Sequence, residues 1–316
     1  MQDLLINEVK IINIITEIAA CDLCGGEEYK LLYSKPDYRS DSDQMFDVVQ
    51  CVSCGLKYLN PQPLSAEISK LYPEVYYTVR NTKYWLKRYG RRLDYIKKLP
   101  VRSLIDIGCA SGDFVRFACE YGYKADGYEE LYSGDGSSDI NIYSGEPELL
   151  PNKVQQYDCV TAWGVLEHLK QPSAYFSLAN HLLAEEGYFV LLVTNGDSIP
   201  SRYLYDEDVP RHMTFFTPDT IKKYADKYGF EVVQIYHHNR IYQMSNMNYL
   251  HYIICKLFRR RVDQFSMPNY RQMKGLPVNS IYLLLSKVIS RFATFHQMIF
   301  KKNGILTAVL RKREAI

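Results

Sequence analysis

The sequence predicts an α/β protein, a mostly parallel sheet with helices on its faces and a small metal-binding module in front of it. Three observations carry this. Two Cys-x-x-Cys pairs stand near the start, Cys21/Cys24 and Cys51/Cys54. A buried strand, a small-residue turn and a helix follow one another from Val101 to Phe114. Apolar strands and helices then succeed each other from Tyr157 to Val233. At 316 residues the chain has room for one medium domain and one small one, and its 47% apolar and 23% charged content is that of a globular protein. No stretch approaches the roughly 18 uninterrupted apolar residues of a membrane span.

Residues 1–63 read as an N-terminal helix and a zinc ribbon. Asp3, Glu8, Lys10 and Glu17 interrupt the apolar positions of the first twenty residues, which therefore lack the basic-then-apolar order of a secretory signal. A cytoplasmic chain is expected, and its eight cysteines are then thiols or metal ligands rather than disulfides. Two residues between cysteines let a tight turn aim both sulfurs at one ion, and two such turns complete the tetrahedral thiolate shell that zinc favours. Gly25 and Gly55 suit those turns because glycine accepts positive φ. Four protein ligands leave no open position, so the metal is expected to be structural. The competing account is a set of isolated buried thiols, or a redox pair.

Residues 64–99 read as a linker and helix. Pro61 and Pro63 end the ribbon in extended chain. The tyrosine cluster that follows, Tyr72, Tyr76 and Tyr77, either packs the linker or faces the active site, and packing is the plainer account. The 28 tyrosines of the chain supply flat rings with a polar tip. A net charge of +2, from 38 basic and 36 acidic side chains, offers no global field for gathering nucleic acid, which is not the expected partner.

The turn from Asp106 through Gly108, Ala110 and Gly112 lets backbone approach a nucleotide-like ligand, and the helix behind it presents free amides. A second strand, Lys124–Tyr128, ends at Glu129 and Glu130, about twenty positions on, where a carboxylate can accept both ribose hydroxyls. The alternative is a generic βαβ unit with a solvated acid. A dinucleotide oxidoreductase would need Gly-x-Gly-x-x-Gly, and here glycines stand only at the ends of Gly108-Cys-Ala-Ser-Gly112.

This turn resembles the first motif of class I S-adenosylmethionine-dependent methyltransferases, Leu-Asp-hydrophobic-Gly-Cys-Gly-x-Gly, with Ala110 in place of the middle glycine. Tyr157 through Pro172, with the pair Glu167-His168, is similar to the fourth strand and following segment of that family. The resemblance implies that Ala162, near this strand's end, lines the methionine portion of the cofactor, and that His168 lies near the transferable methyl; a structural hydrogen bond is the alternative for His168. Some ubiquinone-pathway relatives carry a further acid where this chain has Gly164, so their magnesium-assisted mechanism is not expected. Leu182–Asn195 reads as a helix ending at Gly187 and a fifth strand. Arg211-His212 falls in a loop that related enzymes close over the acceptor, which makes His212 the candidate for substrate contact or proton removal; capping the turn at Thr217 is its alternative role. The segment Leu131–Asn141 departs from the family pattern, and Ser144 and Gly145 fall near the adenine contacts.

The resemblance completes the domain plan: a methyltransferase core over 100–238, a helical cap or interface over 239–303, and a last, antiparallel strand over 304–316 inserted between the fifth and sixth. The helical segment is read as a cap or homodimer contact. Its alternative is attachment to the inner membrane surface through apolar faces bordered by Arg259, Arg260, Arg261, Lys287 and Arg291. The chain is similar as a whole to zinc-containing sugar methyltransferases. That implies S-adenosylmethionine and structural zinc as cofactors, Tyr76 or Tyr77 near the acceptor, and an acid–histidine pair whose acid is replaced here by Arg211. The expected acceptor is a sugar, nucleotide sugar or glycan precursor, methylated at oxygen or carbon. RNA methylation and a non-enzymatic binding protein are the alternatives.

Overall fold

The computed structural model describes residues 13–37, 42–72, 83–130, 132, 139–152, 156–198, 209–238, 240–241, 249–258 and 280–314. The ribbon is built from strands β1 (Thr16–Glu17), β2 (Tyr29–Pro36), β3 (Met45–Cys51), β4 (Lys57–Leu59) and β5 (Gln62–Pro63). β2, β3 and β4 pair antiparallel in sequence order, and β1 pairs with β5. The expected N-terminal helix falls mostly on residues 1–12, outside the described residues; where description begins, Thr16–Glu17 is a strand.

The core carries α1 (Lys83–Ile96), β6 (Ser103–Ile107), α2 (Asp113–Glu120), β7 (Lys124–Tyr128), β8 (Ile142–Tyr143), β9 (Tyr157–Trp163), α3 (Pro172–Leu182) and β10 (Leu183–Thr194). It continues with β11 (Thr214–Phe215), α4 (Pro218–Lys227), β12 (Phe230–Tyr236), α5 (Tyr249–Leu257), α6 (Ser280–Ile299) and β13 (Ile305–Lys312). The seven-stranded sheet runs β12-β13-β10-β9-β6-β7-β8. The strands β10, β9, β6, β7 and β8 are parallel to their neighbours, and β13 is antiparallel to both β10 and β12. The expected Rossmann-like sheet, with its antiparallel last strand between the fifth and sixth, is therefore present.

Strand alternation divides the interior in two. Ile105, Ile107, Val160, Ala162, Leu191 and Val193 pack on one face with α3, α4 and the ribbon residues Leu23, Val49, Leu56 and Tyr58. Leu104, Cys159, Trp163, Val190 and Leu192 pack on the other with α1 and α2. The ribbon is thus fused to one face of the core. Asp22, between the first two cysteines, accepts hydrogen bonds from the backbone amide and hydroxyl of Ser173 at the start of α3 and from the Tyr224 hydroxyl of α4. Lys223 and Lys227 donate to the carbonyls of Cys54 and Leu23. The ribbon sheet itself is completed from far along the chain, because β11 pairs with β4.

One helix boundary differs from expectation. α3 stops at Leu182, not at Gly187, and β10 begins immediately. The buried helical spacing of Tyr175, Phe176, Leu178, Ala179 and Leu182 ends there, and Glu185 and Glu186 are exposed. Gly187 serves a tight turn inside the strand, where a Cβ would lie 2.9 Å from the Ala184 carbonyl oxygen.

Candidate active site and metal centre

The four cysteines meet as the spacing requires. Cys21 Sγ lies 3.4 Å from Cys54 Sγ, and Cys24 Sγ lies 3.5 Å from Cys51 Sγ. A zinc ion holding four thiolates at about 2.3 Å spaces them by about 3.8 Å, so the set fits such an ion with little adjustment. Both knuckles share one backbone form: Gly25 donates to the Cys21 carbonyl and Gly55 to the Cys51 carbonyl, with φ of +74° and +79°. Burial raises the Cys54 thiol to about 11, whereas amide and thiol hydrogen bonds bring Cys51 down to about 7.

The cofactor loop connects β6 to α2. Gly108 has φ +70°, and a Cβ there would lie 2.5 Å from a methyl of Val165, so only glycine fits beneath the segment that follows β9. Ala110 has φ +51°, a left-handed conformation that costs an L-residue on the order of 1 kcal/mol. Its backbone is nonetheless used, since the Ala110 amide donates to Glu129 Oε2 at 2.9 Å. Glu129, at the end of β7, is thereby fixed against the loop, and burial raises its pKa. Glu130 instead accepts from the Tyr175 hydroxyl at 3.0 Å. Gly112 ends the turn at the start of α2. The Ala162 side chain is fully buried in the core, so it can address a ligand only through its backbone. Residues 131 and 133–138 lie outside the described residues.

Asp106 is buried on the α1/α2 side of the sheet, where it accepts a hydrogen bond from the Thr161 hydroxyl. Burial raises its carboxyl to about 7, against the pull of Arg92. Arg92, on α1, is a functional candidate that sequence reading missed. Its guanidinium carbon lies 5.5 Å from the Tyr89 ring, 5.3 Å from Phe114 and 5.5 Å from Trp163. The side chain is 8% exposed, and its Nε has no hydrogen-bond partner. A buried guanidinium held among ring faces beside the cofactor loop suits an anionic ligand group. The available signal was an arginine at helical spacing with Tyr89 and Ile96, both of which turn inward.

The acceptor side gathers distant residues. His168 sits on the 3-10 turn Leu166–His168 after β9. Its Nδ1 lies 3.0 Å from the Tyr72 hydroxyl and 3.2 Å from the Arg211 carbonyl oxygen. A carbonyl only accepts, so this contact favours the tautomer with the proton on Nδ1 and the lone pair on Nε2. The His168 and His212 rings meet edge to face at 4.5 Å, and ligand atoms of Glu167, His168 and His212 lie within 4.8 Å of one another. His212 is buried, with Nδ1 3.4 Å from the Thr194 hydroxyl at the end of β10. Thr217 is capped by Thr220 in a reciprocal box, a task His212 does not share.

Arg211 organises this side. Its guanidinium makes a bidentate, buried pair with Asp37 at 2.9 and 3.0 Å and donates from Nε to the Leu71 carbonyl. One side chain therefore ties the end of β2, the linker and the histidine loop together. Tyr76 and Tyr77 lie outside the described residues. The described tyrosine of that cluster, Tyr72, faces the site rather than packing the linker alone.

A family profile described as a methyltransferase domain matches residues 79–235, from just ahead of α1 almost to the end of β12. These residues are a methyltransferase domain. The domain is of the class I, S-adenosylmethionine-dependent kind, and the ribbon precedes it. A tRNA U34 carboxymethyltransferase from Psychromonas ingrahamii is 27% identical over 168 residues, covering 47% of this chain and 50% of that protein. The chain thus spans about half the length of this curated relative. A solved S-adenosylmethionine-dependent methyltransferase from Archaeoglobus fulgidus aligns with TM-score 0.48 and 18% identity, over 71% of this chain and 92% of its own. The complex of the Trm112 methyltransferase activator with a methyltransferase from Haloferax volcanii contains a chain that aligns with TM-score 0.45 and 14% identity, over 73% of this chain and 96% of its own. Within the methyltransferase domain, Arg92 offers a buried guanidinium whose Nε has no hydrogen-bond partner, and Glu129 a carboxylate fixed against the glycine loop.

Proposed function

We propose that the chain transfers a methyl group to a hydroxyl or acidic carbon of a small polar acceptor, of the sugar, nucleotide-sugar or glycan-precursor class. The observation that carries this reading is the paired His168 and His212 at the strand ends beyond the cofactor loop, walled by the buried Arg211–Asp37 pair. S-adenosylmethionine, when bound, supplies a methyl group on a cationic sulfonium.

The rest falls to side chains. Glu129 accepts the ribose hydroxyls, and Arg92 pairs with the methionine carboxylate. His212 removes the acceptor's proton through an imidazole nitrogen acting as general base. His168 is held by Tyr72 and the Arg211 carbonyl and orients the acceptor alongside His212. Methyl transfer asks mainly for alignment, and a positioned base contributes where a proton must leave. Structural zinc on the four cysteines fixes the ribbon, and through Asp37 the ribbon holds Arg211 and the histidine loop in place.

A second reading is RNA methylation, favoured by the tRNA-modifying relative. Calorimetric titration of the zinc-loaded full chain with S-adenosylmethionine and S-adenosylhomocysteine tests the donor site. Labelled-methyl transfer to a panel of nucleotide sugars and to bulk tRNA then separates the acceptors. Incorporation into a nucleotide sugar supports the proposal, incorporation into tRNA alone replaces it, and absence of cofactor binding leaves a zinc-stabilised binding protein.

A further inference from the structure

Helix α6 shows an apolar stripe to the outside. Along Ser280–Ile299 the residues at Leu284, Val288, Phe292, Phe295 and Ile299 recur at intervals of four or three, which places them on one helical stripe. That stripe faces outward: exposures are 63%, 42%, 70%, 57% and 56% in the same order. Among the described side chains of α6, Ser286, Ser290 and Gln297 are the buried ones. The orientation is held by polar contact, because Gln297 Nε2 donates to the Tyr249 hydroxyl of α5 at 2.6 Å. Phe300 just beyond α6, and Leu257 and Phe258 at the end of α5, are exposed as well. A helix that presents leucine and phenylalanine to water forgoes the gain of burying those large apolar side chains. Such an arrangement is stable in use only when something apolar covers the stripe.

Charge identifies the cover. Residues 249–302 hold ten of the chain's 38 Lys and Arg and one of its 36 Asp and Glu. The near-neutral total conceals a formal charge of +9 in this segment against −7 in the rest of the chain. On the described surface, Lys287 and Arg291 flank the stripe and Lys301 and Lys302 follow it, all exposed. α6 itself carries no acidic residue.

We infer that the α6 stripe is a docking surface for an anionic lipid bilayer, on which the helix lies in the plane of the interface. An apolar stripe bordered by cations is what such a helix needs: side chains enter the acyl boundary while the cations meet lipid phosphates. No helix among the described residues is long and apolar enough to cross a membrane, which fits lying on it. A second copy of the chain is disfavoured, since pairing two copies through this face would bring two segments of formal charge +9 together. RNA would engage the cations and leave Leu284, Val288 and Ile299 in water.

The test is sedimentation of the zinc-loaded full chain with vesicles of phosphatidylcholine alone, or containing about 30% phosphatidylglycerol. The expected result is binding to the anionic vesicles that weakens from about 0.1 M to about 0.5 M salt. The double variant Phe292→Glu/Phe295→Glu should lose about tenfold or more of that partition. Both positions are exposed, so its melting temperature and S-adenosylhomocysteine affinity should match the parent. Lys287→Gln/Arg291→Gln should lower anionic binding without changing the neutral baseline. Failure of the parent to bind anionic vesicles would overturn the inference. So would unchanged binding by the phenylalanine variant, or a parent dimer that this variant dissociates without any vesicle binding, or binding of bulk tRNA in place of vesicles. None of these outcomes depends on the identity of the methyl acceptor.

Discussion

The cofactor half and the acceptor half of the site are held together over different distances along the chain. In the cofactor half, the loop amide of Ala110 bonds a carboxylate 19 positions away, and both belong to one β6–α2–β7 unit. In the acceptor half, Tyr72 meets His168 across 96 positions, and Arg211 meets Asp37 across 174. The loop-closure cost of bringing such groups together is recovered only when ribbon, linker and core are all in place. The cofactor half therefore resembles a self-contained unit, while the acceptor half is a property of the assembled molecule.

The largest expected effect comes from removing zinc. Structural zinc is worth on the order of 10 kcal/mol in small domains, so a strong chelator should release the ribbon and abolish transfer. S-adenosylhomocysteine affinity should fall far less; equal loss of both would mean that the halves are not separable. Next, His212→Gln should lower kcat by about 10²–10⁴-fold with cofactor affinity retained, measured by labelled-methyl transfer and calorimetry on one preparation.

Asp37→Ala leaves the Arg211 cation buried without its carboxylate. Chemical denaturation should show a loss of about 3–5 kcal/mol, and transfer should suffer more than cofactor binding. Arg92→Met sharpens the other side of the comparison. Loss of a charged hydrogen-bonded pair should weaken S-adenosylhomocysteine about 10- to 100-fold, while 5′-methylthioadenosine, which lacks the carboxylate, binds as before. An equal loss for both ligands would reduce Arg92 to a packing role.

The smallest effect concerns Asp106. Its folded-state pKa is raised to about 7 from the usual 3.8, so the folded chain holds this proton more tightly than the unfolded one. The corresponding stability is present below about pH 4 and is lost as pH rises through about 7. Asp106→Asn removes that dependence. Its melting temperature should exceed the parent's by a margin that widens between pH 5 and pH 8, by at least about 2 °C. A margin that narrows would show that Arg92 dominates the carboxylate instead.

Where spacing along the chain and distance in space coincide, the local geometry of the candidate site was legible in advance. The cysteine pairs, the Asp106–Gly112 turn, Glu129 and the Glu167-His168 pair each owe their form to local geometry, and so did the strand order implied by the family resemblance. Gly187 was misplaced because a glycine after a helix and a glycine inside a strand turn look alike until Ala184 is seen to crowd it. Among the linker tyrosines, Tyr72 could not be singled out, since its role depends on a histidine 96 positions away. Arg92 gave no motif at all; only the burial of a guanidinium with an unbonded Nε marks it. The carboxylate that pairs with Arg211, Asp37, arrives from the ribbon 174 positions away, which no local pattern announces.

By itself, then, the sequence determined the four-cysteine module, the class of sheet and the glycine loop, all of which follow from residues within a few turns of one another. Only the tertiary structure decided which tyrosine reaches His168, which arginine lies buried among aromatic rings, how the ribbon's sheet borrows β11, and that α6 shows an apolar stripe to the outside. Each of these depends on contacts between distant segments, whose formation reflects the packing of the whole chain rather than the preference of any one stretch.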